Sequence, residues 1–298
     1  MSVRLRWLVG IAAALLLTAG AAWLWFATTR DTPEQAALAY LQALESGDPA
    51  AVAETGMEVP ETALSAFSAA TARIDEPEVT SVRDTAEGAT ATVSFRLAGA
   101  VHEASLALRS VDGRWVVDGT SLGTLLATTS IGAAVAVGDT TVATGEPAPL
   151  LPAVYTVTAA PTALLSGEAE ATVLPGDTAT VQITAGLRDE ATAAAQKQLE
   201  AHLATCTRPA PTPPEGCGIR IPWGTEFRAV TEFRYRIEQS PALTLAGTGF
   251  TADGGVLVAT VTGTGQDGSA RTATYRTDSW SLRGTVAFTA DGLQLSAW

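Results

Sequence analysis

Lysine is almost missing from this chain: of its 298 residues only Lys197 carries an ε-ammonium group, so the basic side chains are nearly all arginine. Histidine is as scarce, with His102 and His202 far apart. Two remote histidines without carboxylates at ligand spacing do not indicate a metal site, and they give little support to a Ser-His-Asp triad. There is no glycine-rich phosphate loop, no G-x-S-x-G elbow, no H-E-x-x-H helix and no acidic calcium loop. No enzymatic activity, cofactor or metal is expected. Cysteine appears twice, at 206 and 217, and no cysteine near the N-terminus offers a lipid attachment point.

Positive charge is also short. With three of the 18 bases at Arg4, Arg6 and Arg30, ahead of the first acid, 15 bases face 31 acids in the remainder. A body this acidic repels phosphate backbones, which excludes nucleic acid as a partner. Hydrophobic residues at 47% and charged residues at 16% describe globular material.

Charge is wholly absent from Leu8 to Phe26. Nineteen apolar-rich residues make a helix of roughly 28 Å, about one hydrocarbon core. Arg4 and Arg6 precede it, which places the N-terminus in the cytoplasm and everything after residue 30 outside. Ala19-Gly20-Ala21 supplies the small residues of a signal-cleavage site, but Trp23, Leu24, Trp25 and Phe26 continue the apolar run beyond it. The expectation is a retained single-pass anchor in the plasma membrane, residues 1–30, with an extracytoplasmic bulk.

Residues 31–125 read as helices followed by an antiparallel meander. Thr32-Pro33-Glu34-Gln35 starts a helix, Ala37, Tyr40, Leu41 and Leu44 make its apolar face, and Gly47 stops it. Asp48-Pro49 and Pro60-Glu61 open two shorter helices. Ala89 to Leu97 alternate as a half-buried strand, Val101–Arg109 follows, and Asp112-Gly113 turns into Arg114–Asp118.

The opening Thr32-Pro33-Glu34-Gln35-Ala36-Ala37 with Tyr40, Leu41, Leu44 and Gly47-Asp48, together with the closing Asp112-Gly113-Arg114-Trp115-Val116-Val117-Asp118, resembles the nuclear-transport-factor-2-like superfamily. The resemblance covers about a third of the chain and implies a cone whose sheet wraps a helix and leaves a pocket. Tyr40, Phe95 and Trp115 would line it. Some members of that family are isomerases, whose acid and phenol groups would correspond here to Tyr40, Asp84 and Asp118. The residues themselves favour plainer roles: Tyr40 on an apolar helical face and Asp118 capping a turn.

Residues 126–186 carry only strand signals, among them Val135–Thr144, Val154–Thr158, Glu168–Leu174 and Thr178–Thr184, the last two flanking a Pro175-Gly176-Asp177 turn. Leu151 to Val157 is similar to small β modules of bacterial surface proteins. Residues 187–298 begin with a helix, Arg188–Ala204, whose apolar line is Ala191, Ala195, Leu199 and Leu203. Cys206 and Cys217, across a Pro-rich loop, are expected to form a disulfide that stabilises by roughly 2–3 kcal/mol. Five or six strands follow, with turns expected at Asp253-Gly254-Gly255, Gln266-Asp267-Gly268 and Asp291-Gly292. Arg228, Arg234 and Arg236 form a stripe whose expected partners are nearby acids. This last arrangement resembles the C-terminal parts of envelope proteins from GC-rich bacteria.

The fold class expected is therefore α+β: a transmembrane helix, a cone-like helix-plus-sheet domain, a small β module and a second helix-plus-sheet domain. The function expected is a membrane-anchored, extracytoplasmic binding or scaffold protein with an envelope protein or cell-wall partner. A pocket for a small apolar ligand is the alternative.

Overall fold

The computed structural model describes residues 32–210, 212, 217, 219 and 226–297. The expected anchor at 8–26 lies outside them, and no helix among the described residues is long and apolar enough to cross a membrane. The α+β expectation needs correcting. Strand makes up 57% and helix 19% of the described residues, which are therefore mostly β. Several strands are short or lie at sheet edges, where no apolar alternation marks them in the sequence.

Helix α1 (Pro33–Ser46) begins where Thr32 accepts a hydrogen bond from the Gln35 amide at 3.3 Å, with Pro33 in the first turn. Ala37, Tyr40, Leu41 and Leu44 are its fully buried face. Asp48 caps α2 (Pro49–Glu54) by accepting from Ala50 N at 2.9 Å, and α3 (Glu61–Ser68) buries Ala63, Ala66 and Phe67.

The helices are followed by an antiparallel meander, β1 (Ile74–Thr85), β2 (Gly88–Leu97), β3 (Ala100–Val111) and β4 (Arg114–Val117), in that spatial order. β2 to β4 fall where alternation placed them. β1 was not foreseen, because it runs Ile-Asp-Glu-Pro-Glu with almost every side chain exposed. Pro77 has no N–H to give and sits at a register break between Asp75 and Glu78, a combination tolerated only at an edge.

Two sheets then pack face to face. One is β12 (Thr178–Ile183), β5 (Gly123–Thr129) and β8 (Pro147–Leu150); the other is β11 (Glu168–Val173), β9 (Ala153–Ala160), β6 (Ala134–Val137) and β7 (Thr140–Ala143). The strands flanking Pro175-Gly176-Asp177 do not pair with each other. β11 joins β9, while β12 runs parallel to β5, so the turn carries the chain from one sheet to the other. Short β10 (Leu165–Ser166) and β13 (Gly186–Leu187) close one end.

A single apolar core runs from Ala37 to Ala191 and also takes in Val286 and Phe288. The junction expected at residue 125 falls inside β5. Thr71 N donates to Val154 O at 2.8 Å and Val154 N to Ala72 O at 2.9 Å, which ties the end of the helical region to β9. Helices and sandwich are thus held by one buried interior.

The last region packs α4 (Asp189–Cys206) on a five-stranded antiparallel sheet of β14 (Phe227–Gln239), β15 (Ala242–Ala246), β16 (Gly249–Gly265), β17 (Ala270–Thr289) and β18 (Gly292–Ala297). Asp253-Gly254-Gly255 is not a turn. It lies within β16 as a bulge, with Gly254 at φ 76° and register breaks on both sides of Gly255. Leu199, Leu203, Phe233, Tyr235, Trp280 and Leu282 fill the space between helix and sheet. Gln196 and Gln198 pin α4 across that sheet: their side-chain oxygens accept from Leu243 N on β15 at 2.8 Å and from Leu295 N on β18 at 3.0 Å.

Candidate functional site

The side chains expected around a pocket in the first region are placed in different surroundings. Tyr40 and Phe95 are 0% and 2% exposed, among Leu41, Leu44, Leu97 and Leu106 in the main core. Burial pushes the Tyr40 hydroxyl far above the usual phenol range, and among the described residues it has no hydrogen-bond partner. His102 on β3 stacks on Phe95 with ring centroids 6.0 Å apart.

Trp115 is half-buried and lines a cleft of about 170 Å³ with Glu54, Glu58, Arg109 and Arg114. Arg109 is already engaged there, 3.1 Å from Glu58 and 3.2 Å from Asp118. Asp118 caps a single 3₁₀ turn at Gly119–Ser121, accepting from the backbone N–H of Thr120 at 2.9 Å and from its hydroxyl at 2.7 Å. Those bonds, with Arg109 nearby, hold its carboxyl below the usual carboxylate range. Asp84 is exposed at the far end of β1, opposite Ala89.

Cys206 and Cys217 form the expected disulfide, with Cα atoms 5.8 Å apart. It joins the end of α4 to the segment leading into β14. Both cysteines are buried, and His202, one helical turn earlier, brings Nε2 to 3.5 Å from Cys206 Sγ. The donor atoms of all three residues lie within 4.8 Å of one another. In the disulfide state the sulfurs are not free to ligate. From the sequence, His202 and His102 are too far apart to indicate a metal site. The signal missed there is the four-residue step from His202 to Cys206, which stacks the two on one helical face. His202 also borders a groove of about 330 Å³ with Gln198, Thr205, Leu295 and Ala297.

Two of the three stripe arginines are matched by acids, and Arg228 is exposed with no ion pair among the described residues. Arg234 meets Glu232 at 2.8 Å, Arg236 meets Glu238 at 2.6 Å, and Arg276 on the adjoining strand shares Glu238 at 3.1 Å and also pairs with Asp278. Arg271 meets Glu226 at 2.7 Å. These pairs are solvent-exposed, which makes them weak contributors to stability and leaves the face close to neutral.

The distinctive feature of this sheet is an edge. β17 pairs with β16 from Ala270 to Thr285, but β18 covers its other side only from Gly284 to Thr289. Among the described residues nothing pairs with the outer side of Ala270–Arg283, about 14 residues or roughly 45 Å of strand. No proline interrupts this stretch, unlike β1 with its Pro77. Its charges are Arg271, Arg276 and Arg283 against Asp278, and of the three arginines Arg271 and Arg276 are held in ion pairs with Glu226, Glu238 and Asp278. Arg283 is exposed and has no ion pair among the described residues.

No family model matches the chain, and neither a curated protein nor a solved structure does.

Proposed function

We propose that this chain is a non-enzymatic binding or scaffold protein of the bacterial envelope, and that the edge of β17 from Ala270 to Arg283 is where it takes its partner. The occupant is an extended, acidic segment of a second envelope protein that adds a strand to the sheet. One observation carries this: an edge with no strand paired to it among the described residues, rich in backbone donors and acceptors, without the proline that guards β1 and with one register shift, between Thr277 and Trp280. Arg283, exposed and without an ion pair among the described residues, favours an acidic strand, whereas two copies of a chain of net charge −13 repel each other.

The rest of the reading concerns address. The uncharged run at 8–26, with Arg4 and Arg6 ahead of it, supports a single-pass anchor whose N-terminus is cytoplasmic. The Cys206–Cys217 bond fits an oxidising compartment outside the plasma membrane. α1 lying over the four-stranded meander supports the nuclear-transport-factor-2-like reading of the first region. Tyr40 and Phe95, spent on packing, favour a structural role for that region over a catalytic one.

The test is a photo-crosslinking residue at Thr274 on β17, with a control at Thr80 on β1, in intact cells. The expected result is one discrete adduct from Thr274 that weakens in an Arg283→Glu variant. Equal adducts from both positions, no adduct, or an adduct of twice the chain mass would each refute an open edge that recruits a different protein.

A further inference from the structure

The corner where α4 ends holds more chemistry than a cross-link requires. We propose that Cys206, Cys217 and His202 form a site for a thiophilic divalent cation, zinc in particular, whenever the disulfide is reduced. The same three residues then close the loop through a metal instead of a sulfur–sulfur bond.

Geometry is the first support. A tetrahedral zinc ion with bonds of about 2.3 Å to sulfur and about 2.0–2.1 Å to nitrogen needs its donors roughly 3.4–3.8 Å apart. His202 Nε2 already stands 3.5 Å from Cys206 Sγ, and no pair of the three donor atoms is more than 4.8 Å apart. Release of the S–S bond asks only that two sulfurs part to a distance the site spans. The helix supplies two of the donors at a fixed four-residue step, so only Cys217 has to adjust.

Burial is the second. Cys206 and Cys217 are 3% and 5% exposed, packed among Leu203, Phe227 and the other apolar residues between helix and sheet. His202 is exposed and borders the groove of about 330 Å³, which gives an ion a path inward and leaves the fourth position to water from that side. Two buried sulfurs beneath one accessible imidazole is an arrangement that a disulfide alone does not call for.

A dithiol reductant transfers two electrons and two protons to the protein sulfurs and closes to its own disulfide. The cation then binds both thiolates, releasing two protons, with His202 neutral and ligating through Nε2. Since binding expels protons, affinity rises with pH. Reoxidation by a disulfide partner runs the sequence backwards and ejects the ion.

The test uses the full chain, reduced with a water-soluble phosphine and dialysed against zinc alone or cobalt alone. The reduced chain is expected to hold one zinc per molecule and the oxidised chain none, with cobalt showing sulfur-to-metal charge-transfer absorption. His202→Ala keeps its disulfide when oxidised and is expected to bind zinc at least about ten-fold more weakly when reduced, with an altered cobalt spectrum. If reduction loosens the last region, zinc is expected to restore its circular dichroism. A reduced chain that neither holds zinc nor refolds with it would overturn the proposal. So would a His202→Ala chain with unchanged affinity and spectrum.

Discussion

Removing the Cys206–Cys217 bond should cost the fold a predictable amount. Eleven positions separate the two cysteines. In the chain-entropy view, cross-linking a loop of that length takes roughly 9 cal/mol/K from the unfolded chain, or about 2.8 kcal/mol at 25 °C. Both cysteines are buried at 3% and 5%, so changing them to alanine adds a small packing loss to that figure. The assay is urea unfolding of Cys206→Ala/Cys217→Ala beside the parent chain, followed by the circular dichroism of the sheet. The parent in reductant and a chelator serves as a control that leaves the side chains in place. Both are expected to lose about 3 kcal/mol. A loss below about 1 kcal/mol in each would refute the reasoning, since it would mean that the unfolded chain gains little freedom when the loop opens.

Three further outcomes follow from single sites. Asp118→Ala should lose about 1 kcal/mol at neutral pH through the missing turn cap. Because the folded-state carboxyl titrates below its unfolded value, the stabilisation is present above the ordinary carboxylate pKa and fades as pH falls through the lower folded value; urea midpoints of variant and parent should converge in acid. Gly284→Ala should destabilise by about 1–3 kcal/mol, since a Cβ there would run into the Phe250 ring and the Ser296 carbonyl, and thermal unfolding will show it. Tyr40→Phe and Tyr155→Phe should move stability in opposite directions. The Tyr155 hydroxyl donates to Leu151 O at 2.7 Å, a bond worth about 1 kcal/mol, whereas the Tyr40 hydroxyl is buried with no partner among the described residues and its removal relieves a desolvation penalty. Denaturant midpoints for the pair give the sign.

Legibility differed from element to element for physical reasons. α1 was plain because its signals are local: a threonine cap, a proline in the first turn, four apolar residues at helical spacing and a glycine stop. β2, with alternate residues buried from Ala89 to Leu97, was plain for the same reason. The disulfide followed from two cysteines at short range in a chain read as exported. β1 was hidden because an edge strand exposed on most positions leaves no period to detect. Asp253-Gly254-Gly255 looked like a turn because a bulge and a hairpin both want glycine at positive φ, and only the partner strand distinguishes them. The parallel pairing of β12 with β5 joins residues more than fifty positions apart, which no local pattern encodes.

The open edge was illegible for a related reason. Alternation in Trp280, Leu282, Val286 and Phe288 tells which face of β17 is buried, but says nothing of which edge is paired. The cluster of His202 with the cysteines was within reach of the sequence, as a four-residue helical step. It was passed over because the second histidine lay elsewhere and the thiols were assigned to each other.

The account stands or falls on whether the outer side of β17 is free to receive a strand. Residue-resolved amide hydrogen exchange on the purified chain measures this. Between Ala270 and Arg283, amides bonded to β16 should be strongly protected and the alternate, outward-facing ones should exchange rapidly, while Val286, bonded to Thr248 O, and Ala287, paired with Gln294 of β18, are both protected. Uniform protection across 270–283 would mean the edge is already covered within the chain, and the proposed binding surface would not exist.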